Sequence, residues 1–194
     1  MKNNKSQYLA IKRITDIALS SIFLLIAMPF FIIIPFLIKI DSQGKVFIIQ
    51  KRIGFKGKEF YIYKFRTMKK YVDLYKISPT NNFDSRVTKF GRFLRRFSLD
   101  EIPQLYNVLK GEMSLVGPRP EMPFIVLKYS DNEKKRLSVK PGLTGLWQIK
   151  ARKDIPLYKN LDYDFEYINN QSVLFDLKII LKTIPALIKG KGSR

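Results

Sequence analysis

Asp100 and Glu101 are adjacent carboxylates in a chain whose formal charge is +20, and cations crowd them on both sides. Arg95-Arg96 precede the pair, and Arg119 follows it between Pro118 and Pro120. Such an arrangement suits a reaction on a phosphate diester or anhydride. The cations and a metal neutralise the phosphate, and an ionised aspartate can then attack phosphorus. The 194 residues include no histidine and no cysteine, which excludes thiol nucleophiles, disulfides, Ser-His triads and the usual Cys/His zinc sites. Magnesium, a hard ion that prefers carboxylate and phosphate oxygens, is the metal expected, with Asp100 and Glu101 as its ligands.

The same carboxylates have a structural reading in the element that must hold them. Ser98 followed three places later by Glu101 has the form of a capping box, and Ile102, Leu105, Tyr106 and Leu109 then recur at helical spacing up to Gly111. Pro103 fits near the start of that helix, where a missing N–H does little harm. Capping explains Ser98 and Glu101 but not Asp100. A helix N-terminus would also favour a bound phosphate and hold nearby carboxylates ionised, so the two readings coexist.

Further cations join this centre from other segments. Val46 to Gln50 and Phe60 to Phe65, separated by a stretch containing Gly54 and Gly57, predict a β-hairpin. On its second strand Lys64 and Arg66 would share one face, either to meet one anion or to lie in solvent. Between its prolines, Arg119 is ready for a phosphate at little entropic cost. Residues 71–84 read as a polar surface loop, and Lys140 to Gln148 as a turn-rich loop carrying the only tryptophan, Trp147. Asp154, Asp162, Asp164, Glu166 and Asp176 reverse the local charge. Salt bridges account for most of them, while Asp164 could also pair with the basic groove or help hold a metal.

Two kinds of segment point to a membrane. Ile17 to Ile38 is a near-continuous apolar run, long enough as a helix to cross a hydrocarbon layer of about 30 Å. Pro29 breaks it, and both flanks are cationic, at Lys12-Arg13 and again from Lys45 onward. These features predict a helix-break-helix hairpin that enters the membrane and returns to the same side; the alternative is a kinked spanning anchor. Val87 to Phe97, with Lys89, Arg92, Arg95 and Arg96 among apolar residues, predicts a short amphipathic helix against the core or the lipid headgroups; a structural helix with a basic exposed face is the alternative. The stripe of Leu177, Leu181, Ile184 and Ile188 predicts another, lying on an anionic leaflet.

Together these readings give an α+β chain, predominantly helical. A re-entrant membrane hairpin with its interfacial N-terminal segment occupies residues 1–40, and a compact cytoplasmic catalytic domain with a small β-hairpin and interfacial helices occupies 41–194. The positive charge implies anionic partners, and 46% hydrophobic content is enough for a core. A non-catalytic nucleic-acid-binding protein would carry the same charge. The apolar hairpin and the absence of a reader motif speak for membrane and phosphate instead, with no nucleic acid. A purely structural membrane-surface protein would need no paired carboxylates.

Read together, the motifs resemble the bacterial sugar transferase family, the small monotopic phosphoglycosyl transferases. The resemblance runs from Lys12-Arg13-Ile14-Thr15-Asp16 through nearly the whole chain. It is carried by Tyr63 to Met68, Ser98 to Leu109, Lys110 to Pro120, Pro141-Gly142-Leu143-Thr144-Gly145 and Asp176-Leu177-Lys178. It implies transfer of sugar-1-phosphate from a UDP-sugar to undecaprenyl phosphate, with release of UMP, on the cytoplasmic face of the bacterial inner membrane. Asp100 would be the nucleophile of a covalent phosphosugar intermediate, Glu101 would support magnesium or the acceptor, and Lys64, Arg66, Arg95, Arg119 and Arg152 would contact phosphate or nucleotide. Asp164 matches the aspartate of the family's Asp-x-x-Tyr stretch, in a supporting role. The chain departs from the family pattern at Met28-Pro29, where Ser-Pro is usual, and after Trp147, where Arg152 is kept but the family's asparagine and glycine are not. It is expected to be the minimal catalytic form.

Overall fold

The computed structural model describes residues 2–73, 84–150 and 161–188. Among them the architecture is mostly helical, with two small sheets. The apolar run forms α1 (Lys2–Ala27) and α2 (Phe30–Asp41), and Pro29 stands at the junction as the residue before α2. From Lys5 onward the two helices are bent by 56° at this break. No single described helix is long and apolar enough to cross a membrane, whereas the bent pair meets that criterion jointly. Ile14, Leu25, Ile26, Ile32, Phe36 and Ile40 all lie exposed along the pair.

Lys12 and Arg13 do more than flank the run. The Arg13 guanidinium donates to the Val108 and Leu109 carbonyls at 2.6 and 2.7 Å, and Asp16, buried beneath, accepts from Ser114 Oγ and the Leu115 N–H. Lys12 donates to Asp176 at 2.7 Å and to the Val116 carbonyl at 3.0 Å. One turn of α1 therefore grips the segment that leads to Arg119.

The expected hairpin is present as β1 (Phe47–Ile53) and β2 (Glu59–Phe65), antiparallel in a register from Phe47 opposite Phe65 to Ile53 opposite Glu59. Alternation on β2 turns Phe60 and Ile62 into the core and Tyr61 to solvent. α3 (Lys89–Arg96) follows, capped by Thr88 Oγ1 accepting from the Gly91 N–H at 2.9 Å. A Cβ on Gly91 would collide with the Thr67 carbonyl, so glycine lets α3 close on the end of the hairpin.

α4 (Gln104–Lys110) ends at Gly111, in the left-handed region at φ 81°. Its buried residues are Gln104, Leu105, Asn107 and Val108, while Tyr106 faces out, which narrows the stripe expected from spacing. Asn107 ties the helix to the hairpin, donating to the Tyr61 carbonyl at 2.7 Å and accepting from the Tyr63 N–H. β3 (Ser114–Val116) pairs in parallel with β4 (Gly142–Thr144), so part of the expected loop around Pro141 is a strand. Gly117 and Gly142 cross so closely that a Cβ on either would strike the other's backbone or its neighbour's.

The remaining helices are α5 (Pro123–Val126), α6 (Asp131–Lys134), α7 (Leu146–Lys150), α8 (Asp162–Asn169) and α9 (Val173–Ile188). One core joins Phe60, Ile62, Leu105, Val108, Met113 and Val116 to Tyr167 and Ile179, with Leu19 and Leu24 of α1 packed on it. A second joins Ile34 and Ile38 of α2 to Phe65 and Leu94. Leu177, Leu181, Ile184 and Ile188 form an exposed apolar stripe on α9, as its spacing predicts.

Candidate active site

Asp100 and Glu101 lie on a short 3-10 turn, Leu99–Glu101, between α3 and α4. The expected capping box is not formed. Ser98 sits in the left-handed region at φ 55° with no side-chain cap, and α4 begins after Pro103. Glu101 is pulled away by stronger partners. Its Oε1 accepts from Lys64 Nζ at 2.6 Å and from Arg119 Nη2 at 2.7 Å, while Oε2 makes a long 3.4 Å contact to Arg119 Nη1. A buried carboxylate without such charge-assisted bonds would be costly, which is why the cap loses. A capping box does occur elsewhere, between Ser130 and Glu133 at the start of α6.

Asp100 is buried beside this ion cluster, and its Oδ1 has no hydrogen-bond partner among the described residues. Burial and then the Glu101 charge push its carboxyl above the ordinary aspartate value of 3.8, against the pull of Lys64, Arg95 and Arg119. The direction is opposite to that expected from a helix N-terminus. Glu101 behaves differently: Arg119 and Lys64, by charge and hydrogen bonds, overcome its burial and hold it well below 4.5. Two neighbouring carboxylates are thereby driven apart, a pattern typical of groups with separate chemical tasks.

The cations arrive from three directions. Lys64 is delivered by β2, and burial lowers its pKa while Glu101 sustains its charge. Arg95 comes from the last turn of α3, fixed by its Nε donating to Thr67 Oγ1 at 2.9 Å. Arg119 follows β3 between two buried prolines, on a segment held by Gly117 N–H to Thr144 O at 2.9 Å and Gly142 N–H to Pro118 O at 2.8 Å.

Arg66 does not join the cluster. β2 ends at Phe65, and the Arg66 guanidinium turns to the carbonyls of Ser42 and Gln43 beyond α2, the latter at 2.7 Å. It ties the hairpin to the end of α2. Asp164 is likewise elsewhere, buried against Arg136 at 2.7 Å. Salt bridges also engage Glu166 with Lys150 and Asp176 with Lys12. Arg152 lies outside the described residues, as do most of the polar 71–84 segment and Asp154. Sequence reasoning missed Thr67, Asn107 and Arg136; the last stands in the run Lys134-Lys135-Arg136, which looks like an ordinary solvated patch.

Among the described residues no group of three or more carboxylates gathers as a metal cage. Magnesium does not need one, since it binds through one or two carboxylates and completes its shell with phosphates and water. The orphaned Asp100 Oδ1 and the weakly bonded Glu101 Oε2 fit that donor set.

A buried carboxylate with one oxygen unpartnered among the described residues lies beside a cluster of cations, on a chain with an apolar bent helix pair. The chain belongs to the bacterial sugar transferase family, whose model matches residues 7–190. It is 40% identical to the exopolysaccharide production protein ExoY of Rhizobium meliloti, over 94% of this chain and 87% of that protein. It is 41% identical to the galactosyl transferase CpsE of Streptococcus agalactiae over its full length, which corresponds to 46% of that larger protein. A Klebsiella pneumoniae protein named UDP-glucose:undecaprenyl-phosphate glucose-1-phosphate transferase is 40% identical, over 89% of this chain and 39% of its own length.

Proposed function

We propose that this chain transfers sugar-1-phosphate from a UDP-sugar to undecaprenyl phosphate, releasing UMP, through a covalent phosphosugar on Asp100. The observation that carries the reading is the orphaned Oδ1 of buried Asp100, framed by Lys64, Arg95 and Arg119. Sugar-phosphate transfer to the same lipid is named for the Klebsiella relative.

In the first step Asp100 attacks the phosphorus that bears the sugar. A new P–O bond forms to the carboxylate, the bond to the uridine-side phosphate breaks, and UMP leaves with that electron pair. In the second step a phosphate oxygen of undecaprenyl phosphate attacks the same phosphorus. The carboxylate is released, and the product is a lipid diphosphate sugar. Arg119 and Lys64 exchange part of their hold on Glu101 for phosphate oxygens, and Arg95 offsets charge from the α3 side. Asp100 and Glu101 would hold magnesium, which would supply further neutralisation of the diphosphate.

Membrane placement completes the reading. The hairpin of α1 and α2 enters the cytoplasmic leaflet and returns at Pro29, with α9 on the anionic surface, so the lipid phosphate is presented at the height of Asp100. Single cysteines at positions 2 and 45 of this cysteine-free chain are expected to be labelled from the same side of sealed vesicles; labelling from opposite sides would establish a spanning helix. A panel of UDP-sugars with magnesium and lipid phosphate tests the reaction. UMP should be released with at least one donor by the natural chain and with none by Asp100→Asn, and retained turnover in that variant would remove Asp100 as nucleophile.

A further inference from the structure

Arg136 is 2% exposed, yet it carries a full charge at a distance from the carboxylate pair. All three guanidinium nitrogens are engaged. Nε donates to Asp164 Oδ2 at 2.8 Å, Nη1 to the Tyr129 hydroxyl at 2.6 Å, and Nη2 to the main-chain carbonyl of Arg119 at 2.8 Å. Asp164 belongs to α8 and is itself 3% exposed, so the fork is fixed at its base by a buried ion pair.

The bond to the Arg119 carbonyl has a particular significance. The peptide linking Arg119 to Pro120 has no N–H, because proline contributes its nitrogen to a ring. That peptide plane can be tethered through its carbonyl alone, and Arg136 occupies the carbonyl. The preceding segment is held separately, through Gly117, Pro118 and the bonds of Lys12 and Tyr167 to the Val116 carbonyl. The backbone is anchored again at Glu121, whose carbonyl accepts from the Ile53 N–H at 2.9 Å, so without Arg136 the peptide between these two anchors loses its tether at the residue whose side chain reaches Glu101.

We propose that Arg136 is a positioning residue for the transfer reaction, acting through Arg119: with Asp164 and Tyr129 as its base, it sets the Arg119 peptide so that the guanidinium meets the Glu101 carboxylate and the substrate phosphate. The role rests on the sugar-phosphate transfer reading and assigns Asp164 a place behind the site instead of in it. Arg136 touches no reacting atom.

The test uses the full-length chain in detergent or native membranes. Arg136→Lys keeps a charge for Asp164 but cannot span three partners with one nitrogen. It is expected to lower kcat/KM for UMP release about 100-fold, the scale of a small misplacement at a reacting centre. On an Arg119→Ala background the same change should add less than about threefold, because the residues act in series. Equal losses in both backgrounds would overturn the proposal, as would no loss in the natural background. Tyr129→Phe alters no charge and serves as the second variant, should Arg136→Lys fail to fold; about a tenfold loss is expected, again absent without Arg119.

Hydrogen exchange provides a readout independent of the reaction. In either variant the amides of Arg119 and Glu121 should exchange faster while those of Gly117, α4 and the β-hairpin do not. Unchanged exchange at Arg119 and Glu121 would overturn the positioning role whatever the activity. If the natural chain releases UMP from no UDP-sugar, the transfer reading falls on that result, and the positioning claim is decided by the exchange measurement alone.

Discussion

Two buried clusters of like composition lie on either side of Arg119. In one, Asp164 meets Arg136, and every guanidinium nitrogen of that arginine has a partner. In the other, Glu101 meets Lys64 and Arg119, but its neighbour Asp100 keeps an oxygen with no partner among the described residues. Buried polar groups are nearly always satisfied, so a fully bonded ion cluster needs only a structural explanation. An orphaned carboxylate in a cationic surround calls for a ligand. On the proposed reading, the contrast separates the group that reacts from the groups that hold.

Variants at the two clusters should therefore fail in different ways. The largest effect falls on activity: Asp100→Asn should reduce UMP release by at least about 10⁴-fold, the scale of removing a covalent nucleophile. Thermal stability should not fall. Because the folded-state pKa of Asp100 is raised, its ionisation opposes folding as pH rises through the ordinary 3.8 and above. The stability difference in favour of the Asn variant should thus grow from acid to neutral pH, which melting curves can follow. Glu101 has the opposite sign, since its contribution is present above 4.5 and is lost as pH falls toward its depressed folded value.

At the satisfied cluster the first loss is of the fold. Asp164→Ala leaves the Arg136 charge unpaired and should cost about 3–5 kcal/mol in denaturant unfolding. Replacing both partners, Asp164→Leu with Arg136→Met, should restore most of that stability without restoring turnover. Recovery of both would erase the distinction between holding the fold and holding Arg119.

Arg66 belongs with the structural groups despite its place in the Lys-Phe-Arg pattern. Arg66→Gln should lower stability by about 1–3 kcal/mol, through loss of its bonds to the Ser42 and Gln43 carbonyls, with KM for the UDP-sugar unchanged. A raised KM would return it to the site. Smallest of all, Ser130→Ala removes the capping box of α6 and should cost about 1 kcal/mol with no kinetic effect.

Local rules carried much of the fold. The glycine-spaced β-hairpin, the break at Pro29, the end of α4 at Gly111 and the stripe on α9 were all legible because each depends on residues within a few positions. Two segments were not. Ser98 and Glu101 satisfy the pattern of a cap, but Lys64 and Arg119, 37 and 18 residues away, outbid the local backbone. β4 has only three residues and exists because β3 lies beside it in parallel, a partner that no alternation within Gly142–Thr144 reveals. The site shows the same division. Asp100, Lys64, Arg95 and Arg119 were recognisable by charge and context, whereas Arg136 hid in a cationic run whose other members are exposed. Burial of one arginine among three successive cations is decided by Asp164 and Tyr129, and so by the tertiary structure.

The central claim is that Asp100 becomes covalently bonded to phosphorus. Incubating the natural chain with a turned-over UDP-sugar and magnesium in the absence of lipid phosphate, followed by acid quench and peptide mass spectrometry, tests it directly. A sugar-phosphate adduct on the peptide containing Asp100, with one UMP released per adduct and discharge on adding undecaprenyl phosphate, is the predicted result. UMP release that strictly requires the lipid, with no adduct on any peptide, would mean direct transfer in a ternary complex and would contradict the account.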